Sequence, residues 1–312
     1  MLEIFKSSDS GQDLYRLDSI EKGCWVNLIN PTEEELNYLQ SSLGILLNFL
    51  KYPLDEEEKP RIDVEENQTL IIVDIPYVYE EDGELKYDTL PMGLLVVENC
   101  FITICLKENT ILNTFKEKKV RDFFTFKKTR FIFQILFETA KEFLTYLRQI
   151  NKKTDDVERK LHKSMKNKEL LKLLDFEKSL VFFTTSLKSN EIVMEKLFRG
   201  KYLKMYEEDQ DLLEDVIIEN KQAIEMASIY SSILSGMMDA FASVISNNLN
   251  IVMKFLTSVT IVISVPTMMS SFFGMNVPVP FESNPLGFLY ILIISLAMSL
   301  IVMLILIKKD MF

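Results

Sequence analysis

The stretch Leu256-Thr257-Ser258-Val259-Thr260-Ile261-Val262-Ile263-Ser264-Val265-Pro266-Thr267-Met268-Met269-Ser270-Ser271-Phe272-Phe273-Gly274-Met275-Asn276 decides how this chain is read. It ends a longer segment that begins near Asp239 as a charged, helix-patterned run and turns apolar at Ile251. No side chain from Phe255 to Phe273 is charged, which is about what a helix rising ~1.5 Å per residue needs to cross a bilayer core of ~30 Å. One face stays polar. Asp239, Ser243, Ser246, Asn250, Thr257, Thr260, Ser264, Thr267 and Ser271 follow steps of three, four or seven and form one stripe on a helix. Such a stripe faces either a neighbouring helix, as packing glue, or water. It starts well outside the apolar run and continues across its border, which favours water.

A second uncharged span, Leu286 to Ile307, follows after the short connection Gly274 to Pro285. Two spans joined so closely make a hairpin, with both long ends on one side. Lys254 precedes the first span, Lys308 and Lys309 follow the second, and the connection holds no Lys or Arg. The positive-inside rule then places both termini in the cytoplasm and the loop outside. No apolar N-terminal leader follows Met1, so the expected protein is a multi-pass component of the plasma (inner) membrane. Apolar runs of this length exclude a purely soluble protein.

The 312 residues carry a net charge of -11, which disfavours nucleic acid as a partner and suits attraction of cations. Cys24, Cys100 and Cys105 fall in the cytoplasmic part and match no zinc spacing, and the single His162 has no second soft ligand nearby. They read as small buried side chains. No Gly-x-x-x-x-Gly-Lys run occurs, and no grouping of nucleophile, base and oxyanion donors is visible. An enzyme is not expected, and no organic cofactor is implied.

Upstream, Cys24 to Ile29 reads as a strand, and Pro31-Thr32-Glu33-Glu34-Glu35-Leu36 as a helix start. Thr69 to Tyr77 reads as a strand leading to the turn Glu80-Glu81-Asp82-Gly83, and Leu94 to Glu98 with Phe101 to Leu106 as a hairpin around Asn99. From Phe131 the spacing becomes helical, with a polar break near Lys163 to Lys168. After Arg199-Gly200-Lys201 no proline interrupts the chain until Pro266, so one helix is expected from Tyr202 to Phe273. The expected architecture is an α+β membrane protein. An α/β domain spans residues 1–130, an antiparallel helical pair 131–200 and a stalk helix 201–250. The stalk continues into a pore-lining span over 251–273, followed by an outer loop over 274–285, a second span over 286–307 and a basic tail over 308–312. One hairpin cannot enclose a pore, so the stripe calls for a closed homo-oligomer within the lipid bilayer.

With Gly274-Met275-Asn276 closing the first of two C-terminal spans, the chain resembles the CorA-type divalent-cation channels, the magnesium/cobalt transporter family. Trp25-Val26-Asn27, Asn30-Pro31-Thr32-Glu33-Glu34-Glu35-Leu36 and Lys59-Pro60-Arg61 extend the similarity into the cytoplasmic part. The resemblance implies a homopentamer with a cytoplasmic funnel, first helices lining the pore and second helices outside. It implies a selectivity ring of Gly274, Met275 and Asn276 and pore-facing Asn250, Thr267 and Ser271. It also implies an acidic ring at Asp239 and an apolar constriction at Leu256, and Ser264 lies on the same stripe. Phe273 stands where a tyrosine is usual, Ser270-Ser271 replaces a small-residue pair often containing Gly, and the loop Val277-Pro278-Val279-Pro280-Phe281-Glu282 departs from the commonest form. Glu282 is its only acid.

Mg²⁺ prefers six oxygens and gives up its waters reluctantly. A ring of carboxamide and carbonyl oxygens would select the hydrated ion without dehydrating it. A membrane potential of ~100 mV supplies ~4.6 kcal/mol for a divalent ion, so entry requires no other energy source. The stalk acids Glu207, Glu208, Asp209, Asp211, Glu214, Asp215 and Glu219 read either as a solvated face or as a regulatory Mg²⁺ site. The resemblance implies Asp215 for that role, with Asp88 of a neighbouring subunit as candidate partner. Two other readings stand beside passive Mg²⁺ uptake: a Zn²⁺, Co²⁺ or Ni²⁺ transporter of the same fold, and a membrane-anchored cytoplasmic sensor or scaffold.

Overall fold

Apolar runs in the first hundred residues assemble into one mixed sheet. The computed structural model describes residues 1–8, 13–163, 167–280 and 284–311. Among these, seven strands are present: β1 (Leu2–Ser7), β2 (Leu14–Leu17), β3 (Cys24–Ile29), β4 (Arg61–Glu65), β5 (Gln68–Glu81), β6 (Glu84–Val96) and β7 (Cys100–Cys105). They lie in the order β2-β1-β3-β7-β6-β5-β4, antiparallel except for β3 beside β7. The central strands are apolar on both faces because both faces are covered. Cys24, Val26, Leu28, Leu70 and Ile72 pack on one side with α1 (Glu33–Leu43) and α2 (Leu47–Lys51). Trp25, Ile71, Val73 and Phe101 pack on the other with α3 (Thr110–Lys116), α4 (Lys128–Lys163), α5 (Asn167–Arg199) and the start of α6 (Glu207–Phe273).

Local chemistry sets the element ends. Thr32 accepts from the Glu35 N–H, and the Glu35 carboxylate accepts from the Thr32 N–H, a reciprocal cap that starts α1; Gly44 ends it at φ 63°. Gly93 is required for another reason: a Cβ there would lie 2.3 Å from Cγ of Pro53.

Three elements differ from the sequence reading. β5 does not stop near Pro76, at Tyr77, but runs to Glu81, and β6 begins at Glu84, so the two form a long hairpin closed by Asp82 and Gly83 at φ 52° and 75°. Two consecutive positive φ values are what an Asp-Gly hairpin turn demands. Pro76 is tolerated because β4 covers β5 only from Gln68 to Ile72. Beyond that the outer edge of β5 is open to other partners. The N–H and C=O of Asp74 bond there to the side chain of the fully buried Asn190 on α5, at 2.9 and 2.7 Å. Pro76, two residues on, turns its missing N–H to that same edge.

The third difference is the start of α6, at Glu207 and not Tyr202. The Asp209 carboxylate accepts from the Tyr206 N–H at 3.1 Å, and Glu207, Glu208 and Asp209 place negative charge at the positive end of the helix. The break expected around Lys163 to Lys168 overlaps residues 164–166, which lie outside the described set. On either side of it α4 and α5 run antiparallel, with Phe143 against Phe183, and Val157 beside Phe176. Asn220 of α6 donates to the Leu187 carbonyl at 3.0 Å, and Ser235 to Glu177 at 2.8 Å, tying α6 to α5.

The chain forms two compact units, Met1–Ser235 and Gly236–Phe312. The second contains the rest of α6 and α7 (Gly287–Lys308), and among the described residues two helices are long and apolar enough to cross a membrane.

Burial beneath α5 pushes the Asp74 carboxyl up to about 6, partly offset by its hydrogen bond with Ser186. The folded protein therefore holds a proton that the unfolded chain has lost. Stability falls as pH rises from about 4 to about 6, by on the order of 2–3 kcal/mol, and then levels. Asp74→Asn removes this loss. Thermal midpoints of the two proteins in detergent are expected to coincide near pH 4 and diverge in favour of the variant by pH 7.

Candidate functional site

The site is the polar face of α6 and the tripeptide that follows it. Asp239, Ser243, Ser246, Asn250, Thr257, Thr260, Ser264, Thr267 and Ser271 are all exposed in the single chain. Leu256, on the same helix, is exposed as well. Thr260, Ile263, Ser264, Thr267 and Ser271 line one shallow groove formed by α6.

Several of these hydroxyls are held by their own helix. Ser243 donates to the Asp239 carbonyl at 3.0 Å, Thr260 to Leu256 at 2.8 Å, Ser264 to Thr260 at 2.7 Å and Thr267 to Ile263 at 3.2 Å. Each hydroxyl thus spends its proton on the backbone and keeps its lone pairs facing outward. The resulting surface accepts hydrogen bonds. The water shell of a cation presents hydrogens outward, and a row of acceptors is what such a shell requires.

A different set of serines joins α6 to α7. Ser258 is fully buried and donates to the Met311 carbonyl at 2.8 Å. Ser295 and Ser299 of α7 are buried, and Ser299 donates to the Val262 carbonyl at 3.3 Å. That last bond has a specific cause. Pro266 sits inside α6 and has no N–H to give the carbonyl four residues back, which is Val262. Ser299 supplies the missing donor, as a helix in hydrocarbon requires. These partners are invisible to periodicity, because each joins residues far apart in sequence. The helix-breaking Pro266 was the one available signal that a donor had to come from elsewhere.

α6 ends at Phe273, and the Gly274 N–H still reaches the Ser270 carbonyl at 3.0 Å. Gly274, Met275 and Asn276 therefore sit at the negative end of the helix dipole, and all three are exposed. Glu282 lies outside the described residues.

The two proposed regulatory acids are on separate elements of the first unit. Asp215 is exposed on α6, between the buried Leu213 and Val216, which fix its outward direction. Asp88 lies on β6 opposite Tyr77, and its carboxylate accepts from the Thr89 N–H at 2.8 Å. Among the described residues, no group of three or more His, Cys, Asp or Glu is placed to hold a metal ion within one chain.

A family model described as "CorA-like Mg2+ transporter protein" matches residues 21–309. The cobalt/magnesium transport protein CorA of Methanocaldococcus jannaschii is 31% identical over 288 residues, covering 89% of this chain and 87% of that protein. The corresponding protein of Thermotoga maritima is 20% identical over 276 residues, covering 87% and 78%. The complete structure of the CorA magnesium transporter from Methanocaldococcus jannaschii superposes with a TM-score of 0.83 at 26% identity, covering 99% of this chain and 96% of that one.

Cysteine substitution separates the two serine populations. With the native Cys24, Cys100 and Cys105 buried, Ser264→Cys and Thr267→Cys are expected to react with a charged thiol reagent in lipid vesicles. Ser258→Cys and Ser299→Cys are expected to resist it. Protection of all four positions would mean that the stripe is sealed between helices.

Proposed function

Because the chain belongs to the CorA-like Mg2+ transporter family, whose model spans residues 21–309, we propose that it is a passive divalent-cation channel, with Mg²⁺ as its principal ion. The observation that carries this reading is the outward row of acceptor oxygens on α6, separate from the serines that pack α7. Copies of the chain, five in the proposed assembly, bring these rows together around one axis in the plasma membrane. Both termini face the cytoplasm, since Lys254, Lys308 and Lys309 flank the spans on that side.

In this assembly Gly274, Met275 and Asn276 form the outer ring. The Asn276 carboxamides and the backbone carbonyls accept hydrogen bonds from the ion's water shell. Ser271, Thr267 and Ser264 hand the hydrated ion inward, Leu256 narrows the path, and Asn250 and Asp239 receive it at the cytoplasmic end. The outward direction of Asp215 suits a contact with a neighbouring subunit, where Mg²⁺ bridges it to Asp88. Loss of that ion leaves carboxylates facing one another and favours opening. A second reading keeps the path and changes the ion to Co²⁺. It is favoured by the name of the Methanocaldococcus jannaschii relative, a cobalt/magnesium transport protein.

Flux into liposomes containing only this protein tests both parts. Asn276→Ala is expected to lower Mg²⁺ entry by about tenfold or more, the weight of one lost hydrogen-bonding ring. Unchanged entry would remove the ring from the mechanism. Asp215→Ala is expected to leave entry intact while shifting inhibition by internal Mg²⁺ to higher concentration. Inhibition at the wild-type concentration would return the stalk acids to a solvated face.

A further inference from the structure

The start of α4 breaks a rule that the start of α6 obeys. α6 opens with Glu207, Glu208 and Asp209, acids that complement its positive end. α4 opens with Lys128, Thr129 and Arg130, directly after Lys127, and has no acid in its first turn. The N–H groups of these first residues have no carbonyl within the helix to receive them. Three cations on a positive helix end repel it and one another, an arrangement that an anion would relieve.

The place is concave. Val96 and Thr69 of the sheet, Phe126 to Arg130, and Tyr202, Leu203, Lys204 and Tyr206 of the connector into α6 surround an open cleft of about 1030 Å³. That is at the upper end of the roughly 300–1,000 Å³ span of small-molecule sites. The Thr129 hydroxyl donates to the Lys204 carbonyl at 2.8 Å and holds the two sides together. Among the described residues, Lys127, Lys128 and Lys204 are in no ion pair, and Arg130 meets only Glu208, at 3.5 Å, with Glu208 87% exposed. The Nε of Arg130 is buried and has no hydrogen-bond partner. Lys128 donates to the Val97 and Glu98 carbonyls, and burial holds its ammonium below the ordinary lysine range. Three acids of the first turn of α6 also line the cleft against the four cations Lys127, Lys128, Arg130 and Lys204: Asp209 is taken up by the Tyr206 N–H, Glu208 meets Arg130, and Glu207 is exposed to solvent.

Three aromatic rings at the cleft remain open to solvent: Phe126, Tyr202 and Tyr206, at 43, 40 and 66% exposure. Phe126 also packs against Phe124, with ring centroids 5.4 Å apart, and the Lys204 ammonium lies 5.7 Å from the Tyr206 ring centre. Rings with this much surface still open, set beside cations that have no carboxylate partner of their own, fit a ligand with a flat aromatic part and several negative charges. We propose that this cleft binds a nucleoside di- or triphosphate. The phosphates lie against Lys127, Arg130, Lys204 and the first turn of α4, and the base stacks on Tyr206 or Tyr202. Since residues 201–206 lead directly into α6, occupancy bears on the helix that carries the polar stripe. The site does not depend on the transport reading.

Calorimetric titration of the full-length protein in detergent, without divalent ions, tests the site with three probes: ATP, inorganic tripolyphosphate and adenosine. ATP is expected to bind about tenfold more tightly than either of its parts. Tyr206→Ala is expected to weaken ATP about tenfold while sparing tripolyphosphate, and Lys127→Ala and Lys204→Ala to weaken both. All three side chains are exposed, so folding is not at risk. The absence of saturable ATP binding overturns the proposal. Equal affinity for ATP and tripolyphosphate, or ATP binding indifferent to all three substitutions, overturns it too.

Discussion

A backbone carbonyl in hydrocarbon has no water to fall back on, and the second unit is arranged around that constraint. Pro266 opens one gap in the ladder of α6, and the Ser299 hydroxyl of α7 fills it. Ser258 does the same just past the end of α7, donating to the Met311 carbonyl where the helix has run out. Both serines are buried between the helices. The hydroxyls on the other face return their protons to their own helix and so need no neighbour at all. One residue type thus serves two purposes, and the direction of its hydrogen bond tells them apart. A lone pair left facing outward is of use only where something arrives to donate to it. In the proposed channel a hydrated cation does so, and a lipid chain does not.

The soluble unit follows a related logic with water available. Asn190 and Asn220 are buried amides whose partners are backbone groups of other elements. Asn190 acts as a substitute strand beside β5, where β4 no longer reaches, and Asn220 joins α6 to α5. Buried amides of this kind are costly unless fully matched, and for that reason they hold helices at one register on the sheet where apolar contacts alone would allow sliding. The beginning of α6 is therefore fixed against a rigid body.

Much of this is legible in the sequence. The stripe, the two spans, the capping residues of α1 and the Asp-Gly turn are all local patterns, in which neighbours at short separation carry the whole message. Pro76 misled because a proline usually ends a central strand, and only the arrangement of β4 reveals that β5 is an edge there. Tyr202 to Tyr206 misled because nothing in helical spacing discloses that Asp209 turns back to cap Tyr206. In the sequence Ser258 and Ser299 are ordinary members of apolar spans, since their roles depend on residues 53 and 37 positions away.

The amino-acid sequence by itself determined which faces are apolar, which helix carries oxygen acceptors and where that helix must stop. These properties depend on side-chain type and helical period alone. Only the tertiary structure decided which hydroxyls are consumed in packing, which buried amide holds which strand, and that cations and open aromatic rings gather at the start of α4. Those outcomes depend on hydrogen-bond partners brought together from distant parts of the chain, and proximity in space has no signature in local spacing.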